Sequence, residues 1–129
     1  IISDNGNVGI GTADTHGYRL AVNGTIHSKE VLVDLNYWPD YVFKKDYALP
    51  PLSEVKTYVD QNHHLPEMPS AAEVEKDGLN LGEMNKILTK KLEELTLYLI
   101  AQDKQVNELR KEVTQIKQQL TAVTANKHK

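Results

Sequence analysis

The sequence predicts an α+β fold with three parts: a short N-terminal β-stem completed between chains, a small helical cap and a long C-terminal parallel coiled coil. Short segments of period-two hydrophobicity predict the stem, and proline-bounded helical patterns predict the cap. An apolar repeat of period 3.5 predicts the coiled coil. The predicted boundaries are 1–47 for the stem, 48–79 for the cap, 80–125 for the long helix and 126–129 for a frayed tail.

Composition limits the classes of function. The 129 residues carry a net charge of −3 with both signs interspersed, which gives no basic surface for nucleic acid. The absence of cysteine excludes disulfides and thiolate metal sites, and no apolar run is long enough to span a bilayer. Because the chain starts at Ile1 with neither an initiator methionine nor a signal peptide, we expect it to be the C-terminal part of a longer protein.

The stem prediction comes from apolar residues that alternate with polar ones in short runs. The Asn-Gly pairs at 5–6 and 23–24 indicate tight turns, because both residues tolerate positive φ. Strands this short and this few cannot close a sheet within one chain, so we expect identical strands of neighbouring chains to complete it. The alternating apolar positions are Val8, Ile10, Leu20, Val22, Ile26, Val31 and Val33.

The cap prediction comes from helix start and stop signals between residues 48 and 79. A Pro-Pro pair at 50–51 breaks the chain, and Ser53 is expected to cap a first short helix. Ser70 followed three residues later by Glu73 predicts a capping box at the start of a second helix, which Gly78 ends.

The long helix is predicted to open at the capping pair Asn80 and Glu83, and its heptad repeat requires partner helices. A strict period of 3.5 in a helix of 3.6 residues per turn imposes a left-handed supercoil. Gln102 is a polar d position that we expect to set the register. We call the a and d residues from Leu88 onwards the seam, and the same register extends back to Asn85 at a and Leu81 at d. At a the seam has Leu92, Leu99, Val106, Val113 and Leu120, and at d it has Leu88, Leu95, Gln102, Leu109, Ile116 and Val123.

Charge pairs between neighbouring helices favour a parallel arrangement. Glu112 at g can reach Lys117 at the following e position of a neighbour, and Gln105 can similarly meet Arg110. Leu and Val at a with mostly Leu at d leave dimer and trimer equally open.

Additional apolar residues lie off the seam in the first half of the long helix. An apolar stripe wider than a and d indicates burial on a second side, so we expect the cap to fold back on this half while the second half stands in solvent. The additional residues are Met84, Ile87, Leu97, Tyr98 and Ile100.

Neither a metal site nor a cofactor site is predicted. His63 and His64 are adjacent, and neighbouring side chains of an extended segment point to opposite faces, which suits chelation of one ion poorly. The Gly9-x-Gly11 pattern lacks the strand-to-helix setting of a dinucleotide site and indicates close strand packing instead.

Aromatic residues are concentrated between Tyr37 and Tyr47. Two interpretations remain open: these rings form the core that joins stem to cap, or they form a platform on which glycan rings stack. The candidate platform consists of Tyr37, Trp38, Tyr41 and Phe43.

Several segments resemble known families. Asn7–Thr12 and Leu20–Ile26 resemble the short β-motif of phage tail fibres and bacterial fibrous surface proteins. Trp38–Phe43, His64–Ser70 and Asn80–Asn85 resemble a C-terminal domain frequent in Bacteroidetes fibre-like and cell-surface proteins. Essentially the whole chain is thus similar to a C-terminal trimerisation or chaperone-like domain of such fibres.

The resemblance implies a homotrimer in which three Gln102 amides share a water or an anion on the axis. It implies a structural role, trimerisation and folding registration at the C-terminal end of a fibrous protein involved in host attachment. The implied location is a virion tail, a contractile injection particle or a bacterial cell surface, extracellular when working.

Two other functions are alternatives to this structural role. One is a receptor-binding tip that recognises a cell-surface glycan. The other, less favoured, is a self-processing peptidase, since related intramolecular chaperone domains cleave themselves at a Ser-Asp-x-Arg-x-Lys junction. That junction is missing here, and Ser28-Lys29-Glu30 is a poor substitute, so we expect no enzyme activity.

Overall fold

The structure is a computed structural model that describes residues 1–3 and 6–126. In these residues the fold is α+β, with two short parallel strands, a 3-10 helix and three α-helices, which agrees with the predicted fold class at this level. The chain divides into two compact units, Ile1–Val33 and Asp34–Lys129.

The first unit contains the two strands, β1 (Val8–Ile10) and β2 (Leu20–Val22), which pair in parallel with Val8 opposite Leu20. Ile2 adds an isolated antiparallel bridge to Val8. The backbone is tightly packed at Gly9, where a Cβ would lie 2.3 Å from the carbonyl oxygen of Thr12. The close approach of the Thr12 carbonyl therefore leaves no room for a side chain at Gly9.

Other predicted strand positions are not strands in this chain. Ile26, Val31 and Val33 lie outside helices and strands and are at least half exposed. An extended segment becomes a strand only when its backbone groups pair with a neighbour, and no segment of the described part of the chain pairs with these residues. Of the predicted turns, the pair at 23–24 forms a bend directly after β2, whereas Asn5 lies outside the described residues.

The second unit contains the 3-10 helix (Asp40–Phe43) and the α-helices α1 (Leu52–Asn62), α2 (Ala71–Asp77) and α3 (Leu81–Asn126). The 46 residues of α3 give it a length of about 69 Å at about 1.5 Å per residue. It extends one residue past the predicted end of the long helix. The rest of the predicted frayed tail, 127–129, lies outside the described residues.

Helix termini follow the predicted signals with one exception. The capping box of Ser70 and Glu73 is present, and Gly78 ends α2 by donating its N–H to the carbonyl of Val74. Asn80 caps α3, since its side-chain oxygen accepts the N–H of Glu83 at 3.0 Å.

The exception is the start of α1, where Ser53 is not the cap. Pro51 occupies the N-cap position, and its carbonyl already accepts the N–H groups of Glu54 and Val55. Ser53 therefore lies within the first turn, where its carbonyl accepts the hydroxyl of Thr57. A proline just before a helix can set this boundary because its fixed φ suits the helix start.

The core of the second unit is small. Val42, in the 3-10 helix, is the one fully buried large hydrophobic side chain among the described residues. The 3-10 helix contacts α3, so this core lies beside the first half of the long helix. Such a core buries little apolar area for the length of chain that it organises.

Candidate oligomerisation surface

The seam of α3 is exposed along its entire length. The apolar seam side chains keep exposed fractions between 37% at Val106 and 64% at Leu92, and Gln102 is exposed with them. From residue 101 to residue 126 every residue is exposed. A row of exposed apolar side chains along one face of a helix is typical of an interaction site.

The first half of α3 has an unusual burial pattern. Between residues 84 and 98, the exposed residues are Asn85, Leu88, Leu92 and Leu95, which are the a and d positions. Every other residue in this stretch, including several charged ones, is buried or half-buried. An ordinary surface helix buries its apolar stripe and exposes its polar face. Here the single chain covers the other faces of the helix, apolar residues such as Ile87 and Leu97 as well as charged ones, and leaves the apolar seam open.

Tyrosine hydroxyls attach the chain segment before α1 to α3. The hydroxyl of Tyr47 donates to Oε1 of Glu94 at 2.5 Å, and the hydroxyl of Tyr98 donates to the carbonyl of Pro50. Glu94 is only 6% exposed, so this donor offsets part of the cost of burying its carboxylate. Burial, with the hydrogen bond to Glu94 as a second cause, raises the pKa of Tyr47 well above its usual value.

Ion pairs attach the segment between α1 and α2 to the same part of α3. Oε2 of Glu67 lies 2.6 Å from Nζ of Lys90, and its Oε1 lies 2.9 Å from Nζ of Lys91. Lys91 also reaches Glu94 at 2.9 Å, which joins the tyrosine and lysine contacts into one network. Burial raises the pKa of Glu67, but hydrogen bonds from the two lysines outweigh it and leave that pKa below its usual value.

Sequence reasoning did not find this network. Tyr47 and Glu94 are 47 residues apart, and Glu67 and Lys90 are 23 apart, so no local spacing links them. One available signal was the presence of Lys90, Lys91 and Glu94 on a stretch already expected to be covered by the cap.

The aromatic residues of the candidate glycan platform are all exposed. Tyr37 is 90% exposed, Phe43 55%, Trp38 46% and Tyr41 41%. The centroids of the Tyr41 and Tyr47 rings lie 5.9 Å apart, and Nζ of Lys90 lies 5.9 Å from the centroid of the Tyr41 ring.

The histidine pair is not extended, contrary to the expectation from sequence. His63 has a left-handed backbone conformation with φ of 60° and ends α1. The His64 ring packs edge-on against Tyr58 at 5.6 Å. Among residues 1–3 and 6–126, no group of three metal-binding side chains lies close enough to hold an ion. Ser28, Lys29 and Glu30 are exposed and lie outside helices and strands.

Comparisons of the chain with protein-family models, with curated proteins and with solved structures found no match. In the described part of the chain, no helix combines the length and the apolar character needed to cross a membrane. The functional interpretation therefore depends on the exposed seam and on the contacts that cover the remaining faces of α3.

Proposed function

We propose that this chain is a homo-oligomerisation module whose copies assemble through the seam of α3 into a parallel coiled coil. The observation that supports it most strongly is the burial pattern between residues 84 and 98, where only a and d positions are exposed. Leaving these leucines in water costs stability that an oligomer regains. A heptad seam packs against a helix whose apolar residues also repeat every 3.5 residues, and a second copy of this chain has this repeat.

The proposed assembly is a trimer. The resemblance to trimeric fibre domains favours three chains, and Gln102 at a d position suits a shared polar layer on the axis. Exposed charge pairs such as Glu112 with Lys117 of a neighbour select the parallel register, although each adds only about 0–1 kcal/mol.

The proposed mechanism is registration of the N-terminal segments. Joining three chains at α3 raises the effective concentration of their short strands to about millimolar, which turns intermolecular pairing into a nearly local event. The segments that would pair are those of Ile26, Val31 and Val33, which have no strand partner among the described residues of one chain. The module would act without enzyme activity at the C-terminal end of a fibrous protein on a virion tail, an injection particle or a bacterial surface.

The test compares Leu109→Asp with Gln118→Asp. Both changes add one negative charge to the exposed second half of α3, but only Leu109 is a seam residue. Light scattering should give three times 14.6 kDa for the native chain and for Gln118→Asp, and a single chain for Leu109→Asp. Amide exchange of residues 26–33 should be slow only in the two trimeric proteins. A monomeric native chain, or an intact trimer in Leu109→Asp, would refute the proposal.

A second candidate function is recognition of a cell-surface glycan by the platform of Tyr37, Trp38, Tyr41 and Phe43. The observation in its favour is that all four rings are exposed, as sugar stacking requires. A glycan array with the native chain should show binding that Trp38→Ala abolishes and that Tyr18→Ala, at another exposed aromatic residue, preserves. A blank array, or full binding by Trp38→Ala, would reject it.

A further inference from the structure

We propose that an apolar groove beside α3 receives the long helix of a second copy, so that the cap is itself part of the oligomer interface. This inference rests on the proposed function and adds to it, because a coiled coil alone requires only the seam. The groove has a volume of about 470 Å³. Its apolar side chains are Pro50, Leu52, Val55, Leu65, Pro66, Met68, Leu88, Leu92, Leu95 and Tyr98.

The groove is continuous with the seam. Leu88, Leu92 and Leu95 belong to both, so a helix that covers these residues also lies along the opening of the groove. On the opposite side, Leu52 is 60% exposed and Leu65 is 42% exposed in the single chain. A second copy whose long helix covers the seam would therefore also occupy the groove.

The register of a parallel coiled coil identifies the residues that face the groove. A residue at g faces the residue five positions later, at e, on the neighbouring helix, as for Glu112 and Lys117. Lys91 and Tyr98 are the g residues that line the groove. The same offset places residues 96–103 of the second copy opposite them.

The composition of the facing stretch fits an apolar groove. In the first half of α3 the e positions are Gly82, Thr89 and Thr96, which are small and uncharged, whereas the next e positions are charged. Ile100, at b, is one turn after Thr96 on the same flank of the helix. Ile100 is apolar and 60% exposed, yet it is not a seam residue. We infer that Ile100 of the second copy inserts into the groove of the first.

Cross-linking tests this contact directly, since the chain contains no cysteine. The variant Leu52→Cys/Ile100→Cys is treated with a short bismaleimide and separated under denaturing conditions. The control, Leu52→Cys/Asn107→Cys, places the second thiol at the b position one heptad further along, about 10 Å away. We expect covalent dimers and trimers from the first variant and mainly single chains from the control.

The outcomes separate this inference from the proposed function. The groove contact would be overturned if light scattering shows trimers but the cross-linked samples give only single-chain bands. It would also be overturned if both variants give the same amounts of covalent dimer and trimer. Either result is compatible with the coiled coil. Single chains by light scattering in all variants would overturn both.

A second variant checks the energetic role of the contact without cross-linking. Ile100→Asn should lower the association constant of the trimer by about 100-fold or more, because three half-exposed isoleucines lose their apolar contact. Lys104→Asn, at an exposed f position, introduces the same residue into α3 and should leave the constant nearly unchanged. Equal effects of the two substitutions would contradict the proposed insertion.

Discussion

The substitution Leu92→Ala measures how much stability the exposed seam contributes to assembly. Leu92 is an a position with 64% of its surface exposed in the single chain. The change removes three carbons, worth about 0.8 kcal/mol each when fully buried, so the exposed fraction corresponds to about 1.5 kcal/mol per copy. Three copies in a trimer would lose about 4–5 kcal/mol, which lowers the association constant by about 1,000-fold.

Sedimentation equilibrium over a range of concentrations is the assay for this prediction. The thermal midpoint of Leu92→Ala should also rise more steeply with protein concentration, because a weaker trimer dissociates within the measured range. Lys111→Ala, at an exposed f position, is the control and should change the free energy by less than about 0.5 kcal/mol. An unchanged association constant for Leu92→Ala would show that the seam does not drive assembly.

Three further changes test individual contacts. Gln102→Leu should raise the thermal midpoint of the oligomer and broaden its mass distribution in light scattering, because it replaces the polar d residue that we expect to set the register. A lower midpoint would contradict this. Tyr47→Phe removes a donor to the buried Glu94 and should cost about 1–3 kcal/mol in urea unfolding, whereas Tyr18→Phe, at an exposed position, should cost almost nothing. The pKa of Glu67 is lowered from 4.5, so the stability that this carboxylate adds to the fold is fully present above pH 4.5 and is lost as the pH falls through the lowered pKa. Glu67→Gln should therefore reduce the fall in thermal midpoint below pH 4.5.

Local sequence signals predicted the helical parts of the second unit well. The Ser70–Glu73 box, Gly78 and the Asn80 cap are confirmed because each acts through hydrogen bonds that span only three or four residues. The predicted start of α1 is wrong, because Pro51, rather than Ser53 two residues later, occupies the N-cap position.

The strand predictions were less successful for a physical reason. Period-two patterns identified β1 and β2, but not which segments would pair. Ile26, Val31 and Val33 carry the same pattern and form no strand in this chain. Side-chain alternation shows that a segment can be extended, whereas the ladder depends on a neighbouring backbone that sequence periodicity does not specify.

By itself, the sequence determined the seam, its heptad register and the caps of α2 and α3, because these depend on residues within a few turns of one another. Only the tertiary structure decided which segments cover the first half of α3 and through which contacts. The contacts of Tyr47 with Glu94 and of Glu67 with its lysines join residues far apart in the chain, where no periodicity operates. The tertiary structure also produced the groove beside Leu88, Leu92 and Leu95, since its two sides come from separate segments that meet only on folding.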